Sequence, residues 1–275
     1  VTNNATILGR QGVNLSAANI NNLGGGVIQG DTVTATARED INNIGGSMSA
    51  QSALTVTAAR NLNVQSTTRQ TTNDAGRVKT SIQAITRVGS LSVTGNGSNT
   101  RLVASAGNDA NFSGAVVQST GDVRISAGNN LNLTTVTTGN SFDATIDAGN
   151  FNRNSRSSEV GTSIQSSGNT TLSAGNNITA RAAQVQAKGD LLATAANNIL
   201  IEAGQSTTSD ASGRVSKTNA VLASTTVSER QTRDSASAQV SRFSGKTLNM
   251  VADQNLVSQG AIFEGTDLMR VEGKD

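Results

Sequence analysis

An asparagine or aspartate returns along this chain with a fixed step: Asn19, Asp40 and Asn61, then Asp109 and Asn130, then Asn177 and Asn198 are each 21 residues apart within their group. Asn255 adds a further copy. The surroundings return with it, as "AREDI", "AARNL", "AGNDA", "AGNNL", "AGNNI", "AANNI" and "ADQNL". Alanine stands three places earlier in every copy from Asp40 onward, at Ala37, Ala58, Ala106, Ala127, Ala174, Ala195 and Ala252. The copy at Asn19 sits in "NINNLGG", which is nearly rewritten around Asp40 as "DINNIGG", behind a segment one residue shorter.

On either side of the recurring position the residues alternate. Leu54 and Val56, Leu102 and Ala104, Val123 and Ile125, Leu191 and Ala193, and Leu248 and Met250 precede it, while Leu62 and Val64, Leu131 and Leu133, or Ile199 and Ile201 follow. Period-two alternation predicts strands with one face inward. A third short run follows in each unit, as in "SMSAQ", "AVVQS", "TSIQS" and "AQVQA", so a unit reads as three short strands separated by turns. Such a unit cannot bury an apolar face alone, whereas stacked copies form a continuous core. An antiparallel sandwich gives no reason for a constant step. The expected fold is therefore all-β, a parallel β-helix with three strands per coil of about 21 residues, right-handed by the general handedness of parallel crossovers. Nine or ten coils at about 4.8 Å give a rod of about 45 Å.

Three larger steps interrupt the series: 48 from Asn61 to Asp109, 47 from Asn130 to Asn177 and 57 from Asn198 to Asn255. They leave surplus polar segments at about 67–88, 136–160 and 205–242, the third being the longest. Pairs of coils recur with a period of 69 and then 68, so the inserts belong to a longer repeat. "TTNDAGRVKTSIQA" and "TTSDASGRVSKTNAVLA" resemble each other, and both are expected to form β-hairpins or extended excursions from the rod. They offer either a partner-binding surface or a solvated guard on the side of the helix. The coils after Gly260 read as irregular.

The composition closes many functions. The chain has no Pro, Cys, His, Trp or Tyr, which removes disulfides, thiolate nucleophiles, cysteine-type zinc sites and the usual general base. Lys+Arg 21 against Asp+Glu 19 leaves a formal charge of only +2, and five Phe give few stacking platforms, so nucleic acid is not an expected partner. Asp143 with Asp147, Glu39 with Asp40, and Glu229 with Asp234 near Arg230 and Arg233 are the acidic groupings that could work on a sugar if they faced one another across a groove. The aspartate nonapeptide of calcium-binding β-rolls is absent, and the sequons at Asn132 and Asn177 lie on the repeat itself. Gly107, Gly128 and Gly175 precede no helix and are not a phosphate loop. No catalytic, metal or cofactor site is expected, and no transmembrane segment. The start "VTNNATILGR" lacks signal-peptide regions, so residues 1–275 read as one β-helical repeat domain, an internal piece of a longer protein. The recurring Asn and Asp are expected to be a turn ladder, held by stacked amides, with Asp40 and Asp109 breaking its pattern.

Units such as "GDVRISAGNNLNLTT" and "GNTTLSAGNNITARAAQVQAKGDLLATAANNILIEAG" resemble the repeats of filamentous haemagglutinins and of contact-dependent growth inhibition exoproteins, both exported by two-partner secretion in Gram-negative bacteria. The likeness spans nearly the whole chain. It implies a secreted shaft displayed at the bacterial cell surface, an outer-membrane partner transporter during export, and a receptor on a host or neighbouring bacterial cell. Lack of cysteine fits passage of an unfolded chain through an oxidising periplasm. The role implied is an adhesin shaft or the stalk of a toxin-delivery protein. Two alternatives are a polysaccharide-binding or polysaccharide-cleaving β-helix and a segment that assists toxin translocation across a target outer membrane.

Overall fold

A computed structural model describes residues 1–97 and 99–274. Its secondary structure is strand without helix, and most of it is parallel. Nine short strands form one parallel sheet: Thr2–Asn3, Ile20–Leu23, Ile41–Ile44, Leu62–Gln65, Ala110–Ser113, Leu131–Thr134, Ile178–Arg181, Ile199–Glu202 and Leu256–Gln259. Their register reproduces the sequence steps. Ile20 lies beside Ile41 and Ile41 beside Leu62, then Leu62 beside Ala110, Ala110 beside Leu131 and Leu131 beside Ile178. Ile178 beside Ile199 and Ile199 beside Leu256 complete the series. The longer steps therefore each span one rung and an excursion. The arrangement is compatible with a β-helix.

The other two strand runs of each unit lie in a 13-stranded sheet, also parallel. The three-strand expectation needs one correction. In Thr6–Ala17, Val27–Ala37, Ser47–Ala58, Ser241–Ala252 and Ala261–Gly273 two of the runs are a single strand carried round a bend, with a register shift at Gly9/Gly12, Gly30/Thr32 and Gly245/Thr247. A bulge with glycine at the bend turns the backbone without ending the ladder. At Gly9 a side chain would collide with the Gly12 carbonyl. The segment after Gly260 is also more regular than it reads, since Ser241 to Ala252 pairs in parallel with Ala261 to Gly273. Its alternation is hard to see because Leu268 and Met269 point to solvent.

The core is a set of columns that run across the rungs. Ile20, Ile41, Leu62, Ala110, Leu131, Ile178 and Ile199 are fully buried, as are Leu54, Leu102 and Leu248 on the opposite wall. The recurring alanines form a column of their own, with Ala58, Ala106, Ala127, Ala174 and Ala195 stacked in register and 7% exposed at most. Where a column drops to alanine at Ala110, the same strand supplies the bulky Phe112, so volume is exchanged between neighbouring columns.

Candidate functional site

At the corner before the nine-strand sheet, each recurring side chain accepts a hydrogen bond from the backbone of the next rung. The N–H of Asp40 donates to Asn19 Oδ1 (3.1 Å), Asn61 to Asp40 (3.1 Å), Asp109 to Asn61 (3.3 Å) and Asn130 to Asp109 (3.0 Å). The chain of bonds continues from Asn177 to Asn130 (3.3 Å), Asn198 to Asn177 (3.1 Å) and Asn255 to Asn198 (3.1 Å). Asp40 and Asp109 donate no amide yet take part in this backbone ladder. The shared bond needs only an acceptor oxygen, which a carboxylate has, and Asn61 separates the two carboxylates so that they never stack. Side-chain amides add to the ladder at Asn177 and Asn198, and Asn108, Asn129, Asn176 and Asn197 bind across it beside the corner.

Further ladders escaped the sequence reading. Asn42, Asn63, Asn111 and Asn132 each donate from Nδ2 to the Oδ1 of the equivalent residue one rung back, starting at Asn21, over 2.8–2.9 Å. Asn22 and Asn43 point inward and are fully buried, bonded to each other at 2.8 Å and to Asn3 and the Ser90 carbonyl. At another corner the N–H of Asn169 donates to Asp122, that of Asp190 to Asn169 and that of Thr247 to Asp190. Those residues repeat the steps of 47, 21 and 57, so the spacing that exposed the first ladder carried a signal for this one too.

The three inserts are hairpins, and they join. Thr67–Asp74 pairs with Val78–Arg87, Val136–Thr145 with Phe151–Val160, and Gly204–Asn219 with Ser224–Gln239, all antiparallel. Val78–Gln83 then pairs with Gly139–Ala144, and Phe151–Ser158 with Ser206–Gly213, which fuses the hairpins into one six-stranded sheet. The spacing permits this. Hairpins leave the ladder from alternate rungs, after Gln65, Thr134 and Glu202, so two rungs at about 4.8 Å provide the width that two hairpin strands occupy. This is the physical content of the 69- and 68-residue period.

Glu159 clasps the hairpins to the rungs. Its carboxylate takes Arg181 Nε at 3.0 Å and Nη2 at 2.7 Å, the Gln205 N–H at 2.6 Å and the Thr135 hydroxyl at 3.1 Å. Arg181 also reaches Glu202 at 3.5 Å. The Arg181 hydrogen bonds, with those of Gln205 and Thr135, hold the Glu159 carboxyl below its usual range against the opposing effect of burial. Higher in the sheet, Phe151 lies over Gly213, where a Cβ would collide with the ring, and Arg153 stands 4.8 Å from the ring centroid.

The acidic groupings do not converge on a groove. Asp143 is tied to Thr145 and Arg153, with its carboxyl held low chiefly by the Thr145 hydroxyl, while Asp147 accepts the N–H groups of Gly149 and Asn150 in the hairpin loop. Asp40 takes Arg60 Nε at 2.8 Å and Nη2 at 2.6 Å, and Glu39 takes the Asn19 amide. Glu229 and Asp234 are five residues apart on one strand and so point to opposite faces. The hollow beside the rungs lined by Gln118, Gln165 and Gln186, about 640 Å³, carries Lys188 and Arg242 and no carboxylate. Among the described residues no cluster of three His, Cys, Asp or Glu could hold a metal ion, and no helix is long and apolar enough to cross a membrane.

Neither a curated protein nor a solved structure matches the chain. Residues 90–147 and 146–274 match the family described as Hemagglutinin repeat, more than half of the 275 residues, and the chain belongs to that family.

Proposed function

We propose that this chain is a non-catalytic shaft segment of a secreted surface fibre, a right-handed parallel β-helix with coils of about 21 residues, whose hairpin sheet is its interaction face. The family itself points to a secreted adhesin-like or two-partner secretion protein. The observation that carries the finer reading is the division of the chain into two β systems. One is a parallel ladder whose polar corners are satisfied internally. The other is an antiparallel sheet that adds nothing to the continuous core and presents Ser, Thr, Arg and Asp to solvent. Rigid scaffold below and polar display above is the arrangement of recognition surfaces in general. On this reading an outer-membrane transporter exports the fibre, and a receptor on a host or neighbouring bacterial cell meets the hairpins.

Neither sugar cleavage nor toxin passage has a specific observation in its favour. The hollow that runs along several rungs lacks the paired carboxylates that hydrolysis requires. The test is excision of the hairpins above their bases, replacing 69–85, 138–157 and 207–236 by short turns, followed by a cell-attachment assay and a circular-dichroism melt. The expected result is a folded rod with reduced attachment. Full attachment by the excised protein, or loss of the cooperative melt, overturns this division of labour.

A further inference from the structure

We propose that the outer edge of the third hairpin, Ser224–Gln239, is a self-complementary docking edge that pairs antiparallel with the same edge of a second copy of this chain, about a two-fold axis through Gln231. One side of this strand is bonded to Gly204–Asn219 and the other side has no strand partner among the described residues. All 16 of its residues are exposed. Elsewhere in the same sheet, hairpin edges of this kind already take up a neighbour, through Val78–Gln83 against Gly139–Ala144 and Phe151–Ser158 against Ser206–Gly213. A row of free N–H and C=O groups is a template for a further strand.

The order of charges says which strand. Glu229, Arg230, Gln231, Thr232, Arg233 and Asp234 follow one another. An axis through Gln231 sets Glu229 opposite Arg233 of the second copy, and symmetry repeats the contact. An axis through Arg230 or Arg233 would instead set that arginine against its own copy, and an axis through Thr232, which sets Arg230 opposite Asp234, would bring Leu222 to Arg242 rather than to an apolar residue. Charges that merely guard an edge need no such mirror order. Among the described residues these four side chains form no ion pair within the chain.

The hairpin tip fits the same register. Val221 and Leu222 are 99% and 97% exposed, the most exposed large apolar side chains among the described residues. Leu222 lies nine residues before the axis and Val240 nine after it, so pairing lays each Leu222 against the half-exposed Val240 of the other copy. This association is independent of the receptor reading above.

The experiment is sedimentation velocity on the whole chain over a concentration series. The expected result is a concentration-dependent dimer of twice the 27.9 kDa chain mass. Glu229→Arg and Arg233→Glu, both at exposed positions that leave the melt unchanged, each weaken the dimer about ten-fold or more, because each sets like charges against one another. Mixing the two variants restores the dimer, since the altered position of each chain then faces an opposite charge on the other. Leu222→Lys also weakens it. A chain that stays monomeric throughout overturns the proposal. So does association that ignores the single reversals, is not restored by mixing, or survives Leu222→Lys, because the occupied surface is then a different one.

Discussion

The side-chain oxygen of Asn130 accepts three hydrogen bonds, from the backbone N–H of Asn177 and from the amides of Asn176 and Asn177. Asn130→Ala leaves that half-buried N–H without its acceptor, and the expected loss in a denaturant melt is about 1 to 2 kcal/mol. The identity of the acceptor matters less than its charge neighbours. Asn177→Asp keeps the oxygen that receives the Asn198 N–H but gives up the amide hydrogen bond to Asn130, and with uncharged Asn130 and Asn198 below and above, its expected cost is about 0.5 to 1 kcal/mol. Asn130→Asp is expected to cost at least about 1 kcal/mol more, because it stands directly on Asp109. Raising the salt concentration should shrink the difference between the two variants, and equal losses at low salt would remove charge from the account.

Among the elements, the clasp at Glu159 ties the second and third hairpins to the rungs at Arg181 and Glu202. The folded Glu159 carboxyl is depressed from its ordinary 4.5, so the unfolded chain takes up its proton first as acid is added. The stability it supplies is complete above about pH 4.5 and is lost as the pH falls through the lower folded value. Glu159→Gln is expected to lower stability at pH 7 by about 1 to 2 kcal/mol and to flatten the acid limb of the stability profile. An acid limb with the wild-type slope in that variant would assign the pH dependence to other carboxylates. The clasp also marks a limit of legibility. The rungs could be read from the chain because neighbours on the ladder share a residue type at a constant step. Glu159, Arg181 and Gln205 are brought together from three different units, each only once, so no period announces them. The hairpins were legible as polar surplus with roughly the right ends, but their fusion was not. That pairing depends on rung spacing, which exists only once the chain has coiled. Asn22 and Asn43 were hidden for another reason, since an inward amide and a turn amide look alike in a sequence rich in asparagine.

For the whole molecule, the two β systems share one length scale, and this gives a test that separates them. Each rung bonds only to its neighbours, so the ladder accepts removal of a rung if the register closes, as in other one-dimensional repeats. Deleting Ala110 to Asn130 removes 21 residues and brings Leu131 onto Leu62, apolar on apolar, with Asp109 still bonded to the Asn61 corner. The rod is expected to fold. The first and second hairpins, however, would then leave adjacent rungs about 4.8 Å apart, where their four strands need about twice that separation. Their mutual ladder from Val78–Gln83 to Gly139–Ala144 should open, seen as faster amide exchange in those residues and faster trypsin cleavage at Arg77 and Lys79. Deleting Leu62 to Asn130 is the matched control, 69 residues that take out the first hairpin together with one plain rung. It leaves the second and third hairpins on alternate rungs, so protection across Phe151–Ser158 and Ser206–Gly213 should be unchanged. If the 21-residue deletion kept its hairpins protected, the hairpin sheet would be indifferent to rung spacing, and the longer period would need another cause.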